Sequence, residues 1–129
     1  MKHKVLFLAS WYPSKILPLS GIFVKRHAEA VANFCDVAVL HVIQDPNLND
    51  KKIEIETENE KNVFTVRVFY KDNEGSKSII SRVTKMIRRF KAEYTGFKTV
   101  NEKFGKPNII HVNVLESTGL FTLFLNFFN

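Results

Sequence analysis

The sequence predicts an α/β domain, a mostly parallel sheet with helices on both faces. Three observations carry that expectation. Three short apolar runs, Val5–Ala9, Val37–Ile43 and Asn108–Val114, lack the polar alternation of a sheet with one wet face, as strands covered on both sides do. Two segments of helical periodicity, Phe23–Phe34 and residues 78–104, fall between them. Strand–helix–strand, an extra hairpin-like pair, then helix–strand–helix is the alternation of a parallel sheet with crossover helices.

The 129 residues suffice for one modest domain, 1–129, and are too few for two full-sized ones. With 45% hydrophobic and 25% charged residues the composition is globular, neither disordered nor collagen-like. The lone Cys35 excludes an internal disulfide framework and a cysteine-based zinc cluster. His3, His27, His41 and His111 never fall at the short spacing of zinc ligands, so no metal is expected. No stretch reaches the roughly 18 uncharged apolar residues of a membrane span. The apolar run after Lys2 and Lys4 is short for a signal peptide, and Trp11-Tyr12-Pro13 makes a poor cleavage site. A cytoplasmic chain is therefore expected.

Taken in order, Val5–Ala9 reads as a covered strand that ends at Ser10 in a Pro-containing loop. Gly21 leads into the first helix, where Phe23, His27, Ala30, Val31 and Phe34 share one face and Lys25, Glu29 and Asn33 the other. Val37–Ile43 is a second covered strand, and Asp45–Asp50 a turn. Ile53 and Ile55 alternate with Glu54 and Glu56, the pattern of a half-exposed edge. Val63–Tyr70 alternates more firmly, and Arg67 within it suggests another edge position. After a break at Asp72–Ser76, Ser78 is placed to cap a long helix whose apolar stripe is Ile80, Val83, Ile87, Phe90, Tyr94 and Phe97. Gly96 is expected to bend or end it, and Gly105-Lys106-Pro107 stops it. The last strand is followed by a helical pattern from Glu116 to Leu125 around Gly119, strongly apolar to the end. A helix that apolar needs a neighbour, so the sheet is expected to lack at least one strand, and self-association is expected of the piece.

Charge is concentrated. Of the net +6, residues 77–106 carry nine basic groups against Glu93 and Glu102, a balance of +7 that leaves −1 for the rest. Such an element attracts nucleic acid, anionic lipid or a phosphorylated substrate, or is simply a solvated helix face.

In open α/β sheets, ligands bind beyond the carboxyl ends of the strands. There the sequence places the loop Ser10–Gly21, with an exposable indole at Trp11 and a phenol at Tyr12. Ser20 and Gly21 precede a helix whose first N–H groups have no intrahelical partner, and Lys25 and Arg26 lie in its first turn. A single glycine before a helix also serves as an ordinary turn. There is no dinucleotide fingerprint and no Walker loop. His111 and Asn113, two apart in one strand, point to the same face, while His27 reads as a core or rim residue and His41 as structural.

Three stretches together resemble the retaining, nucleotide-sugar-dependent glycosyltransferases of family 4, in which two Rossmann-like domains face each other in the GT-B arrangement. They are Ser10–Ser14 followed by Ser20–His27, then Val37–Val42, then Pro107–Asn113 with Gly119 after it. The resemblance implies that the chain is an incomplete amino-terminal half of a GT-B fold, on the acceptor side, with the donor domain absent. It implies a hexosyltransferase-like enzyme of polysaccharide biosynthesis when whole, inactive as this piece, with a nucleotide sugar as substrate and no cofactor. Gly21 matches the glycine that approaches the donor diphosphate. Ser20, Trp11, Tyr12, Lys25, Arg26 and His111 fall around the same substrate site. Asn113 stands where many members carry a histidine that contacts the transferred sugar, and His111 matches a more buried position. The basic segment is similar to the surface with which some members meet a lipid-linked acceptor, implying peripheral contact with an anionic membrane at its inner face. Metal-independent transfer is expected. The alternative is a non-catalytic module binding nucleic acid or anionic partners through the basic helix 78–104. That helix offers no stacking platform, because Phe90 and Tyr94 fall on its apolar stripe. A flavodoxin-like domain is disfavoured by Ala9-Ser10 where acidic residues would stand.

Overall fold

Residues 2–48, 53–71 and 79–113 are described by the structure, a computed structural model. The expected break at Asp72–Ser76, the Ser78 cap and the apolar helix at 116–125 lie outside them. The chain runs β1 (Lys4–Ala9), α1 (Ile22–Val31), β2 (Asp36–Gln44), β3 (Ile53–Glu60), β4 (Val63–Tyr70), α2 (Ile79–Lys103) and β5 (Ile109–Asn113). The five strands form one sheet in the order β3-β4-β2-β1-β5, parallel except for the antiparallel β3–β4 hairpin. Helix α1 packs on one face and α2 on the other, a generic Rossmann-like arrangement. Among the described residues no helix is long and apolar enough to cross a membrane.

The central strands are apolar throughout because both their faces are covered. Val5, Phe7 and Ala9 of β1 belong to the cluster beneath α1, and Leu6 and Leu8 to the cluster beneath α2. Burying each large side chain of this kind contributes roughly 1.5–3 kcal/mol. From β1 the sheet grows through β2 to β4, then reverses, and β5 is laid on the other side of β1. In open α/β sheets ligands bind at such a reversal, which here lies at the carboxyl ends of β1 and β5.

Arg67 departs from the edge position expected of it. Strand β4 is internal, and Arg67 is 5% exposed. Its Nη1 lies 3.3 Å from Glu56 and 3.0 Å from Glu58 of β3, its Nε donates to the Pro13 carbonyl at 2.8 Å, and the guanidinium covers the Tyr12 ring. A buried cation persists only when so fully partnered. The even-numbered glutamates of β3 share this side of the sheet, and Glu54 and Glu60 pair with Lys15 and Lys25.

Helix α1 packs through a face other than the one expected, and α2 through one that keeps only Phe90 and Phe97 of the expected stripe. In α1 the sheet-facing row is Val24, Ala28 and the capping Ala32, while Phe23 and Phe34 are exposed. In α2 it is Ala92, Glu93, Gly96, Phe97 and Val100, while Ile80, Val83, Ile87 and Tyr94 are exposed. The reason is the same in each: small residues let a helix backbone approach a pleated sheet more closely than large ones do. Gly96 therefore does not end α2, which runs on to Lys103. A Cβ there would stand 2.4 Å from Leu40 Cδ1 and 2.7 Å from Val68 Cγ2.

Two buried ionisable groups oppose each other. The His41 ring lies in the sheet with Nδ1–H donating to the Ala9 carbonyl at 2.9 Å, and burial depresses its pKa to about 4. Glu93 accepts from Arg89 Nε at 3.0 Å, yet burial outweighs that cation and raises the carboxyl to about 7. Unfolded, these groups titrate near 6.5 and 4.5. Stability from neutral His41 is present above 6.5 and is lost as pH falls toward 4. For Glu93 it is present below 4.5 and is lost as pH rises through 7.

Gly96→Ala is expected to destabilise the protein by about 1 kcal/mol in urea denaturation. Overpacking of about 1–3 kcal/mol there exceeds the gain in helix propensity of roughly 1 kcal/mol. In a pH series of the same measurement, the stability of Glu93→Gln relative to the parent is expected to grow by about 3 kcal/mol from pH 4 to pH 7. A constant difference would mean that Glu93 ionises normally.

Candidate functional site

The site is built around the end of β1. Past Ser10 the chain folds back on itself through Ser14, whose Oγ accepts from the Ile16 and Leu17 N–H groups at 3.3 and 3.2 Å, while Ser20 N–H donates to the Leu17 carbonyl at 3.2 Å. This return brings Gly21 against the Trp11–Tyr12 peptide. A Cβ at Gly21 would lie 2.3 Å from the Trp11 carbonyl and 2.6 Å from Tyr12 N, and its φ of +65° belongs to the left-handed region. Gly21 is the N-cap of α1, and no side chain among the described residues caps the helix. Its carbonyl accepts from the Val24 and Lys25 N–H groups, leaving those of Ile22 and Phe23 at the mouth of the helix.

Across from this mouth lies β5. Its register puts His111 beside Phe7 and Asn113 beside Ala9, so both face the α1 side. The His111 ring centroid is 4.9 Å from that of Phe7 and 5.6 Å from that of His27, which is itself 5.3 Å from Phe7. Trp11 packs edge-on to Phe23 at 6.4 Å and stays half exposed. The side-chain Nδ2 of Asn113 is buried and has no hydrogen-bond partner among the described residues.

Of the sequence-predicted residues, Trp11, Ser20, Gly21, His111 and Asn113 thus gather at the reversal of strand order. Three do not. Tyr12 is a core residue, 2% exposed, hydrogen-bonded to Thr65, and burial pushes its phenol above the usual value. Lys25 turns to the far flank of α1, where its Nζ pairs with Glu60 at 3.5 Å. Arg26 is exposed on the outer side of the helix, opposite Val24 and Ala28. The depth order of His111 and Asn113 also reverses the expectation: the imidazole is exposed and the amide half-buried. An edge strand leaves His111 open to water, whereas Asn113 lies against the end of β1.

Sequence reasoning missed His27, which is exposed beside His111 rather than packed. The spacing of Val24, Ala28 and Ala32 was the available signal, because a packed face on those residues turns His27 toward β5. Among the described residues no group of three or more His, Cys, Asp or Glu is assembled to hold a metal. The gathered groups suit an anion at the helix mouth, hydroxyls at the amide and imidazoles, and an apolar ring face at Trp11 and Phe23.

A cavity of about 720 Å³ at the opposite, amino edge of the sheet is lined by Lys2, Lys4, Cys35, Asp36, Lys103 and Phe104. Both helices end there, and Lys4 Nζ donates to the Phe104 carbonyl at 3.0 Å, so Lys4, with Lys103 in the last turn, answers the carboxyl terminus of α2. The chain matches no model of a known protein family, and no curated protein matches it.

An unpaired buried amide costs about 1–3 kcal/mol. Asn113→Leu is therefore expected to raise stability by about 1 kcal/mol in urea denaturation, and a neutral or lower value would show that the amide is satisfied.

Proposed function

We propose that this domain is the acceptor-side, amino-terminal half of a retaining glycosyltransferase of the two-domain GT-B kind, using a nucleotide-sugar donor and a glycan or lipid-linked acceptor. The observation that carries the reading is the Asn113 amide, without a partner among the described residues, beside the end of β1 where helix α1 begins without a side-chain cap. The sequence resemblance supplies the substrate class, and the crevice at the reversal of strand order is where that class would sit.

In this reading the N–H groups of Ile22 and Phe23, with the positive end of the α1 dipole, meet the donor diphosphate. They stabilise the charge that grows on it as the glycosidic bond breaks, an effect worth several kcal/mol in a water-excluded cleft. The Asn113 amide donates a hydrogen bond to a hydroxyl of the transferred sugar. An amide moves no proton, so this contact only orients the sugar, at the position where many members of the resembled family carry a histidine that contacts it. Trp11 and Phe23 give the acceptor an apolar face. The gathered residues of this half carry no carboxylate, so transfer with retention would proceed at the donor's front face rather than through a covalent intermediate on this domain. The nucleotide would be held mainly by the facing domain, and these 129 residues would be inactive alone.

The test combines sugar-transfer assays on this chain, over a panel of nucleotide sugars, with a titration of the ¹⁵N-labelled chain by nucleoside diphosphates. No turnover is expected, and amide shifts should centre on Ile22, Phe23 and the Asn113 side chain. Robust turnover would remove the claim of inactivity, and shifts confined to the amino-edge lysines would remove the site.

A further inference from the structure

The cavity of about 720 Å³ at the amino edge of the sheet takes no part in the sugar-transfer reading. Strand β1 is six residues long, so the cavity lies about 20 Å from the mouth of α1 and from Asn113. Its size falls within the range of small-molecule sites, about 300–1,000 Å³. Lys2, Lys4 and Lys103 reach it from the start of β1 and the end of α2, and among the described residues Asp36 is the only acidic one on its walls. Lys4 is already engaged, its Nζ bonded to the Phe104 carbonyl and lying over the Phe104 ring. Lys2 and Lys103 are exposed and form no ion pair among the described residues, and neither does Asp36. Cations gathered about one concavity focus a positive potential there, which a bound anion relieves.

The surplus of charge is small. The carboxyl ends of α1 and α2 each bring about half a negative charge, so together with Asp36 they leave about one positive charge from the three ammoniums. A diphosphate would overfill that balance, whereas a single carboxylate meets it. The rest of the wall suits hydroxyls. Along β3 the residues on the α2 side run Ile53, Ile55, Thr57, Asn59, apolar first and polar as the strand nears the cavity. Asn62 follows in the two-residue turn between β3 and β4, where it and Lys61 hold the positive φ that such a turn demands. Amides and hydroxyls both donate and accept, so these three side chains match the hydroxyl groups of a ligand rather than a second charge.

We propose that the amino-edge cavity binds a hydroxylated monocarboxylate of the sugar-acid class, its carboxylate between Lys2 and Lys103 and its hydroxyls on Thr57, Asn59 and Asn62. A free sugar acid and a uronate residue within a glycan both present this chemistry. The inference uses no residue of the carboxyl edge, so it stands or falls apart from the sugar-transfer reading.

Titration of the ¹⁵N-labelled full chain with glucuronate, glucose, inorganic phosphate and trigalacturonate tests it. Glucuronate is expected to shift the amides of Asp36, Asn59, Asn62 and Phe104, to leave those of Ile22 and Phe23 in place, and to lose affinity as salt rises. Glucose should not bind, and phosphate should bind more weakly than glucuronate. The pair Lys2→Gln with Lys103→Gln should weaken glucuronate binding about tenfold or more, and Asp36→Asn should tighten it about threefold. All three positions are exposed, and unchanged circular dichroism would confirm the fold. Lys2→Arg with Lys103→Arg should retain binding. Tighter binding of trigalacturonate than of glucuronate assigns the site to a uronate within a glycan, and equal or weaker binding assigns it to the free acid. The inference is overturned by the absence of shifts at the amino edge, by glucose or phosphate binding as well as glucuronate does, or by lysine or Asp36 variants that bind as the parent does.

Discussion

The backbone of Gly21 lies against the peptide joining Trp11 to Tyr12, closer than any side chain permits. The rest of the candidate site follows from that contact. It draws the start of α1 to the end of β1, so the first N–H groups of the helix lie at the carboxyl edge of the sheet. With the start fixed, Val24, Ala28 and Ala32 settle on the sheet, and His27 falls between Phe7 and His111. The same contact directs Trp11 outward and Tyr12 inward, since successive side chains leave an extended backbone on opposite sides.

The loop that makes this contact is tied down from the other end of the sheet. Arg67 donates to the Pro13 carbonyl while its other nitrogen is held by Glu56 and Glu58, and Lys15 pairs with Glu54 and lies over the Phe69 ring. The β3–β4 hairpin, which adds only an antiparallel edge to the sheet, thereby fixes the geometry of a loop on β1. Burying a guanidinium is costly unless its hydrogen bonds are met, and here each bond also serves to position the loop. The buried Nδ2 of Asn113, unsatisfied among the described residues, is the counterpart: a polar group at the point where a ligand would complete it.

How much of this could be read from residues alone depended on the range of the interaction. The central strands were legible because burial on both faces leaves a local signature. But β5, expected to be covered in the same way, is a part-exposed edge strand, and its place beside β1 follows from no count of strands and crossovers. Gly21 was legible as a special position, and the shared face of His111 and Asn113 follows from the period of a strand. The face of α1 and all of the α2 stripe but Phe90 and Phe97 were misread because periodicity was weighed by the size of the apolar residues, whereas Ala28, Ala92 and Gly96 make the close contacts. Arg67, Tyr12 and Lys25 were misplaced because their partners, Glu58, Thr65 and Glu60, lie in segments no local pattern connects to them. The exposed aliphatic row of α2 carries the same period as a core stripe and is told apart only by where the sheet ends.

The central claim is that the end of β1 is a ligand site made by α1 and β5 together. A crystal structure of the chain with a nucleoside diphosphate bound tests it most directly. The account predicts a phosphate within hydrogen-bond distance of the Ile22 and Phe23 N–H groups, with the Asn113 amide turned toward the ligand. A phosphate seated instead among Lys2, Lys4 and Lys103, with the crevice unchanged, would contradict it.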